Sequence, residues 1–140
     1  MTAQKGRSAM KYVYPAIFQP EEGGFFISFP DIDGCFTQAS SIPEGLEMAT
    51  DALNLMLWHM EEEKIDIPAP SPISVLACGD GFATLISADT LAYRRLHDTK
   101  AVRKNLSIPR WLDTLATEHN VNFSNILQNA LMRELGVTKA

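Results

Sequence analysis

Two cysteines in 140 residues, Cys35 and Cys78, are too few to staple a fold, which excludes a disulfide scaffold. Both read as reduced thiols of a cytoplasmic protein. No apolar run reaches the roughly 20 residues that a membrane span needs. The longest candidate, from Ala52 to Met60, is broken by Asn54 and His59, and no membrane partner is expected. Lys5 and Arg7 are followed by no apolar stretch, so no secretory signal is read there. The Gly-rich phosphate loop and the Ser nucleophile elbow are both missing. His59, His97 and His119 are isolated from one another and from any Cys at metal spacing, so neither a metal nor another cofactor is expected. What remains is ordinary: 46% hydrophobic, 21% charged and 9% aromatic residues, the composition of a globular chain rather than of collagen or low-complexity disorder.

Charge is unevenly spread. Residues 1–100 carry 7 Lys/Arg against 14 Asp/Glu, or −7, while residues 101–140 carry 5 against 3, or +2, returning the net −5. An acidic body joined to a weakly basic tail suggests two partners of different chemistry.

Residues 1–9 are polar and patternless and read as a tail outside the fold. Tyr12–Phe18 is aromatic and β-branched, a strand, with Pro15 demanding an edge or a bulge. Turns at Pro20–Gly24 and Pro30–Gly34 separate it from strands at Phe25–Phe29 and Cys35–Ala39, an antiparallel meander. Ser41 and Glu44 make a capping box with Pro43 in the first turn. Leu46, Ala49, Leu53, Met56, Leu57 and Met60 then repeat on one helical face, with Glu47, Asp51, Asn54 and Glu61 off it, and the helix should end near Lys64. Pro68, Pro70 and Pro72 make a stiff connector. Ile73–Cys78 fits either a strand or a short helix, Phe82–Ser87 a fourth strand, and Thr90–Leu96 a short helix. Polar His97–Lys100 marks a domain boundary.

The tail alternates. Val102, Leu106 and Ile108 fall on one side of a strand; Arg103, Asn105 and Ser107 fall on the other. Pro109 opens a helix with Leu112, Leu115 and Ala116, His119-Asn120 offers a left-handed exit, and Ser124 caps a second helix that Gly136 ends. A strand and two helices in about 35 residues fall below the roughly 40 that fold alone, so the unit should dimerise. Two such strands paired across a two-fold axis make a ribbon with a polar outer face, a shape that enters the DNA major groove.

Further residues carry a resemblance. Tyr14-Pro15, Phe18, Glu22-Gly23-Gly24-Phe25, Ser28-Phe29-Pro30-Asp31, Gly34-Cys35 with Thr37-Gln38, and Ala49 with Ala52-Leu53 are followed by Arg103-x-Asn105-x-Ser107-x-Pro109 and Ser124. Over residues 11–136 the chain resembles HicB-type antitoxins with a ribbon-helix-helix DNA-binding domain. It departs from them at Ala39, where the family often has Gly, and at Gly45, where it often has Ala. The resemblance implies an α+β fold. Residues 10–97 would form a partial ribonuclease H-like antiparallel sheet with one long helix, covering a HicA-like mRNA-cleaving toxin. Residues 101–137 would form a ribbon-helix-helix domain that dimerises, as a homodimer or homotetramer, and represses the operon by binding operator DNA. A standalone regulator with a ligand- or protein-binding N-terminal domain is the alternative, and a divalent-metal nuclease a third class.

The chemistry of the residues weighs these readings. A working nuclease of that fold gathers several carboxylates on two metal ions, but residues 11–18 contribute no acid. The chain is therefore read as no enzyme. Asp31 and Asp33 sit in a turn, and Glu61, Glu62 and Glu63 at a helix end, where turn chemistry and solvation suffice; through the resemblance, Asp31, Asp33, Glu61 and Glu62 become candidate toxin contacts. Arg103 and Asn105 suit guanine and adenine edges, and Ser107 either a base or a phosphate. Lys104 breaks the inward alternation and can snorkel to phosphate. The helix N-terminus at Ser124 can bind another phosphate. Cys35 reads as a buried thiol, and Trp58 and Trp111 as packing or interface residues.

Overall fold

The computed structural model describes residues 11–137, so the tail read at 1–9 lies outside the described residues. The chain divides between Thr99 and Lys100 into two compact units.

The first unit opens with three strands, β1 (Lys11–Glu21), β2 (Gly24–Ser28) and β3 (Phe36–Ala39). They form the expected meander, with β1 four residues longer than its aromatic stretch. Gly23 adopts φ +84° in the two-residue connection, a conformation that favours glycine. At Gly24 a Cβ would stand 2.1 Å from the Ala39 carbonyl oxygen, so only a bare backbone lets β3 approach there. The strand β4 (Phe82–Asp89) completes an antiparallel sheet of order β3-β2-β1-β4.

β1 is thus an inner strand and not the edge that Pro15 suggested. The reason is where its neighbours stop. β4 pairs with residues 11–18 and β2 with residues 17–21. Successive N–H groups point to opposite flanks, so Pro15 and Pro20, five residues apart, present their nitrogens to opposite sides. Pro15 lies where β2 is absent and Pro20 where β4 is absent, so neither imino nitrogen has to interrupt a ladder.

Helix α1 (Ile42–Glu62) crosses one face of the sheet. Ser41 caps it, its Oγ accepting from the Glu44 amide at 3.3 Å. The return bond of the capping box goes one residue further out: the Glu44 carboxylate accepts from the Ser40 amide at 2.6 Å and from its hydroxyl at 2.9 Å. These bonds hold the exposed Glu44 carboxyl below its ordinary range. At the other end Lys64 takes φ 56°, and the Ile65 amide donates to the Met60 carbonyl at 2.9 Å, closing a Schellman turn at the expected stop. Gly45, Ala49, Leu53 and Leu57 are buried, but Leu46 is not, and Asn54 is buried although the pattern set it off the face. The true contact ridge follows the i+4 row, rotated slightly from the row expected.

The core joins this ridge to Tyr14, Ala16, Phe18, Ile27 and Ile86. Phe18 is fully buried, which is worth about 2–3 kcal/mol. Its ring stacks on Phe82 at 4.9 Å and meets Phe25 edge-on at 5.9 Å. Ile67, just before the proline connector, is buried, and Tyr14 donates its hydroxyl to the Pro68 carbonyl. Residues 73–78 form neither alternative in full, only a single 3-10 turn at Ile73–Val75. Helix α2 (Thr90–His97) follows β4, capped by Asp89, whose carboxylate accepts from the Ala92 amide at 3.0 Å.

The second unit holds helix α3 (Arg110–Glu118), starting after Pro109, and helix α4 (Phe123–Leu135). Asn120 makes the left-handed exit at φ 54°, and Gly136 ends α4 at φ 69°. Two expectations are corrected here. Residues 102–108 carry no strand in the single chain, because a strand needs a ladder partner and the described residues of this unit offer none. Ser124 is not the cap of α4: Asn122 is, its Oδ1 accepting from the Asn125 amide at 3.0 Å, and Ser124 falls in the first helical turn. Asn is at least as good a cap as Ser, and it stands two residues earlier.

Candidate functional site

The four acidic candidates sit on two elements and have different tasks. Asp31, in the turn after β2, accepts from the Ser71 amide at 2.9 Å and from its hydroxyl at 2.5 Å, tying down the proline connector across 40 residues of chain. Asp33, in the same turn, is exposed. Burial, and after it the Asp31 carboxylate, push the Tyr14 phenol up to about 12.

Glu61 and Glu62 adjoin at the end of α1 but diverge. Glu62 is exposed and accepts from the Trp58 indole N–H at 3.0 Å. The Glu61 side chain is only 9% exposed. One of its oxygens accepts from the Tyr12 hydroxyl at 2.7 Å and from the Thr90 hydroxyl at 2.8 Å. The other accepts from Arg94 at 2.7 Å. Burial, and then this carboxylate, raise the Tyr12 phenol well above the ordinary tyrosine range. Glu61 therefore serves the interior, joining β1, α1 and α2, and has little surface left for a partner.

Glu61 lies off the expected apolar face and is drawn inward all the same. The signal was present in the spacing: Gly45, Ala49, Leu53 and Leu57 recur every four residues, and Glu61 is the next member of that row. Glu47 and Asp51 stand off the buried face, as expected. Between Ser41 and Glu63 there is no Lys or Arg, while Glu47, Asp51 and Glu62 face outward beside Leu55, itself 53% exposed. Tyr93 of α2 packs edge-on against Trp58 at 5.8 Å, lies 4.2 Å from the His97 ring and donates to Asp51 at 3.2 Å. Burial, followed by Asp51, raises the Tyr93 phenol.

No group of three His, Cys, Asp or Glu side chains that could hold a metal occurs among the described residues. Cys35 is buried, its thiol pushed up to about 11 by that burial, which leaves it protonated and a poor nucleophile.

In the second unit Arg103, Lys104, Asn105 and Ser107 are all exposed in a run without regular secondary structure, with Ser124 exposed in the first turn of α4. Neither helix buries a residue. Val102, Leu106, Trp111, Ile126, Leu131 and Leu135 are each half exposed or more.

Comparison with known proteins adds to this geometry. The family model described as HicB-like antitoxin of bacterial toxin-antitoxin system matches residues 14–131. Antitoxin HicB 1 of Photorhabdus laumondii is 46% identical over 61 residues, 43% of this chain and 39% of that protein. Antitoxin HicB of Escherichia coli K12 is 39% identical over 62 residues, 44% of this chain and 45% of its own length. The chain thus spans less than half the length of these two curated relatives. Antitoxin HicB 2 of Photorhabdus laumondii is 31% identical over 108 residues, 75% of this chain and 73% of that one. Among solved structures, a chain of a toxin-antitoxin complex from Streptococcus pneumoniae is 27% identical and superposes with a TM-score of 0.59, covering 89% of this chain and 99% of that one. With a family match running through both units, the chain belongs to the HicB-like antitoxins of bacterial toxin-antitoxin systems.

Proposed function

We propose that this antitoxin neutralises a small mRNA-cleaving toxin by direct contact through its first unit and represses its own operon through its second. The observation that carries the reading is the family match from residue 14 to 131, which takes in both units. The acidic body supports a basic, RNA-binding partner through steering and complementarity. Neutralisation needs only a covering surface, so the protein acts as a binding module in the cytoplasm rather than as a catalyst. The four-stranded sheet with one long helix is read as a partial ribonuclease H-like scaffold without its carboxylate site.

For repression, a second copy covers the apolar faces of α3 and α4, which the single chain leaves in water. The same pairing supplies residues 102–108 with a ladder partner, forming a two-stranded ribbon. Arg103, Asn105 and Ser107 then present donors and acceptors to a major groove, while Lys104 and the N-terminus of α4 near Ser124 reach phosphates.

Co-expression with the small basic protein of the neighbouring reading frame tests the first half. Copurification and rescue of growth are expected. Failure of both in a soluble full-length chain overturns the antitoxin activity and leaves a standalone regulator.

A further inference from the structure

An open cleft of about 600 Å3 lies among α1, α2, β1 and β4. Tyr12, Ala92, Tyr93 and Leu96 give it a largely apolar lining, and α1 contributes Thr50 and Asn54. Asn54 is 7% exposed. Its Nδ2 donates to the Thr50 carbonyl at 3.1 Å, which fixes the orientation of the amide. That leaves Oδ1 buried with no hydrogen-bond partner among the described residues. The atom without a partner is the acceptor, so a group that completes it must bring a donor.

The surroundings select the donor. Asp89 also lines the cleft, facing Lys11 in the β1–β4 register, so the lysine at that end already has an opposite charge across from it. Asp51 stands beside the cleft, held by the Tyr93 hydroxyl at 3.2 Å, and α1 offers no Lys or Arg anywhere along its length. The occupant should be cationic. An ammonium is strongly hydrated and gains little from an apolar lining, whereas a guanidinium is planar, weakly hydrated and lies well against an aromatic ring. Tyr93 supplies that ring, packed edge-on by Trp58 and flanked by the His97 ring.

The geometry points to this cleft as the receptor for an arginine side chain of a basic protein partner, with Asn54 Oδ1 accepting from the guanidinium and Tyr93 lying beside it. The inference rests on the toxin-binding reading above and gives that contact a location on the first unit.

Two variants of the full chain test it against the small basic protein encoded beside it, by calorimetric titration. Asn54→Leu keeps the branched shape of the side chain and removes the unpartnered acceptor, so thermal stability should hold or rise. Affinity should fall about tenfold, the size of one charge-assisted hydrogen bond lost at an interface. Ala92→Met fills the cleft from an exposed helical position and should weaken binding by a similar factor with an unchanged Tm. Binding within twofold of wild type for a folded Asn54→Leu and for Ala92→Met overturns the arginine receptor and leaves the toxin-binding reading standing. If Asn54→Leu does not fold, Ala92→Met decides alone. No binding by the wild-type chain overturns both.

Discussion

Glu61 Oε1 lies 2.7 Å from Arg94 Nη2 and links the last turn of α1 to α2. The carboxylate is largely out of solvent while the guanidinium is 36% exposed. The pair is therefore asymmetric: the acid depends on its partners, and the base retains water. Glu61→Ala should destabilise the first unit by about 1–3 kcal/mol, because Tyr12 and Thr90 each lose this acceptor and Arg94 is left with the exposed Glu62 at 3.8 Å. That lies below the roughly 3–5 kcal/mol of a fully buried pair, since Arg94 stays partly solvated. Glu62→Ala, one residue on but exposed, should change stability by less than about 0.5 kcal/mol. Thermal unfolding of the two variants side by side checks the contrast, and equal effects would mean that the Glu61 network contributes nothing of its own.

Alkaline pH should attack the same region. Tyr12 and Tyr14 both have folded pKa values raised above the ordinary value of 10.0, in each case first by burial. A raised folded pKa gives stability that is complete below the unfolded value and is lost as pH rises through the folded one. Stability should hold up to about pH 10 and fall from there to about 12, where Tyr14 ionises. Tyr14→Phe should flatten that fall, as read from Tm against pH between 8 and 12; an unchanged slope would show that the phenol does not control it.

At Gly45 the helix meets the sheet almost without clearance. A Cβ there would stand 2.6 Å from Phe18 Cε2 and 3.1 Å from Ile27 Cδ1. Alanine improves helix propensity by up to about 1 kcal/mol, while overpacking a tight core costs about 1–3 kcal/mol. Gly45→Ala should therefore be destabilising by about 1 kcal/mol in denaturant titration. In a Phe18→Leu background, where the ring edge is gone, the same change should be neutral or stabilising.

The proposed reader face makes a prediction for DNA. Arg103→Ala and Asn105→Ala should each cost about 1–3 kcal/mol of operator affinity and relax sequence preference. Lys104→Ala should weaken all sequences alike and flatten the salt dependence by about one charge. Growth rescue should be unaffected by any of the three. Operator titrations at several salt concentrations check this, and unchanged binding for both Arg103→Ala and Asn105→Ala would remove the ribbon as the reader.

Assembly is predicted from the second unit. The full chain should scatter light as a dimer or larger at micromolar concentration. Leu131→Asp, placed on a residue 50% exposed in the single chain, should shift it toward monomer by burying a charge in the contact. A monomeric wild-type chain would overturn the pairing.

Much of the fold was legible as local chemistry. The meander follows from two Gly-containing turns between apolar strands, and α1 from Ser41, Pro43 and a 3.6-residue repeat. The exit at Asn120 and the stop at Gly136 follow from residues that tolerate positive φ. Each depends on interactions within a few residues, which the sequence displays directly. Tertiary structure decided the rest. Pro15 could not reveal that it sits in an inner strand, because that depends on where β2 and β4 stop pairing. The pairing of Glu61 with Arg94 and the burial of Asn54 depend on how α1 is rotated over the sheet by a fraction of a turn, a rotation that brings Gly45 close against Phe18. The strand read at 102–108 is the converse case: its alternation is plain in the sequence, but a strand exists only with a ladder partner, and the described residues of the second unit supply none.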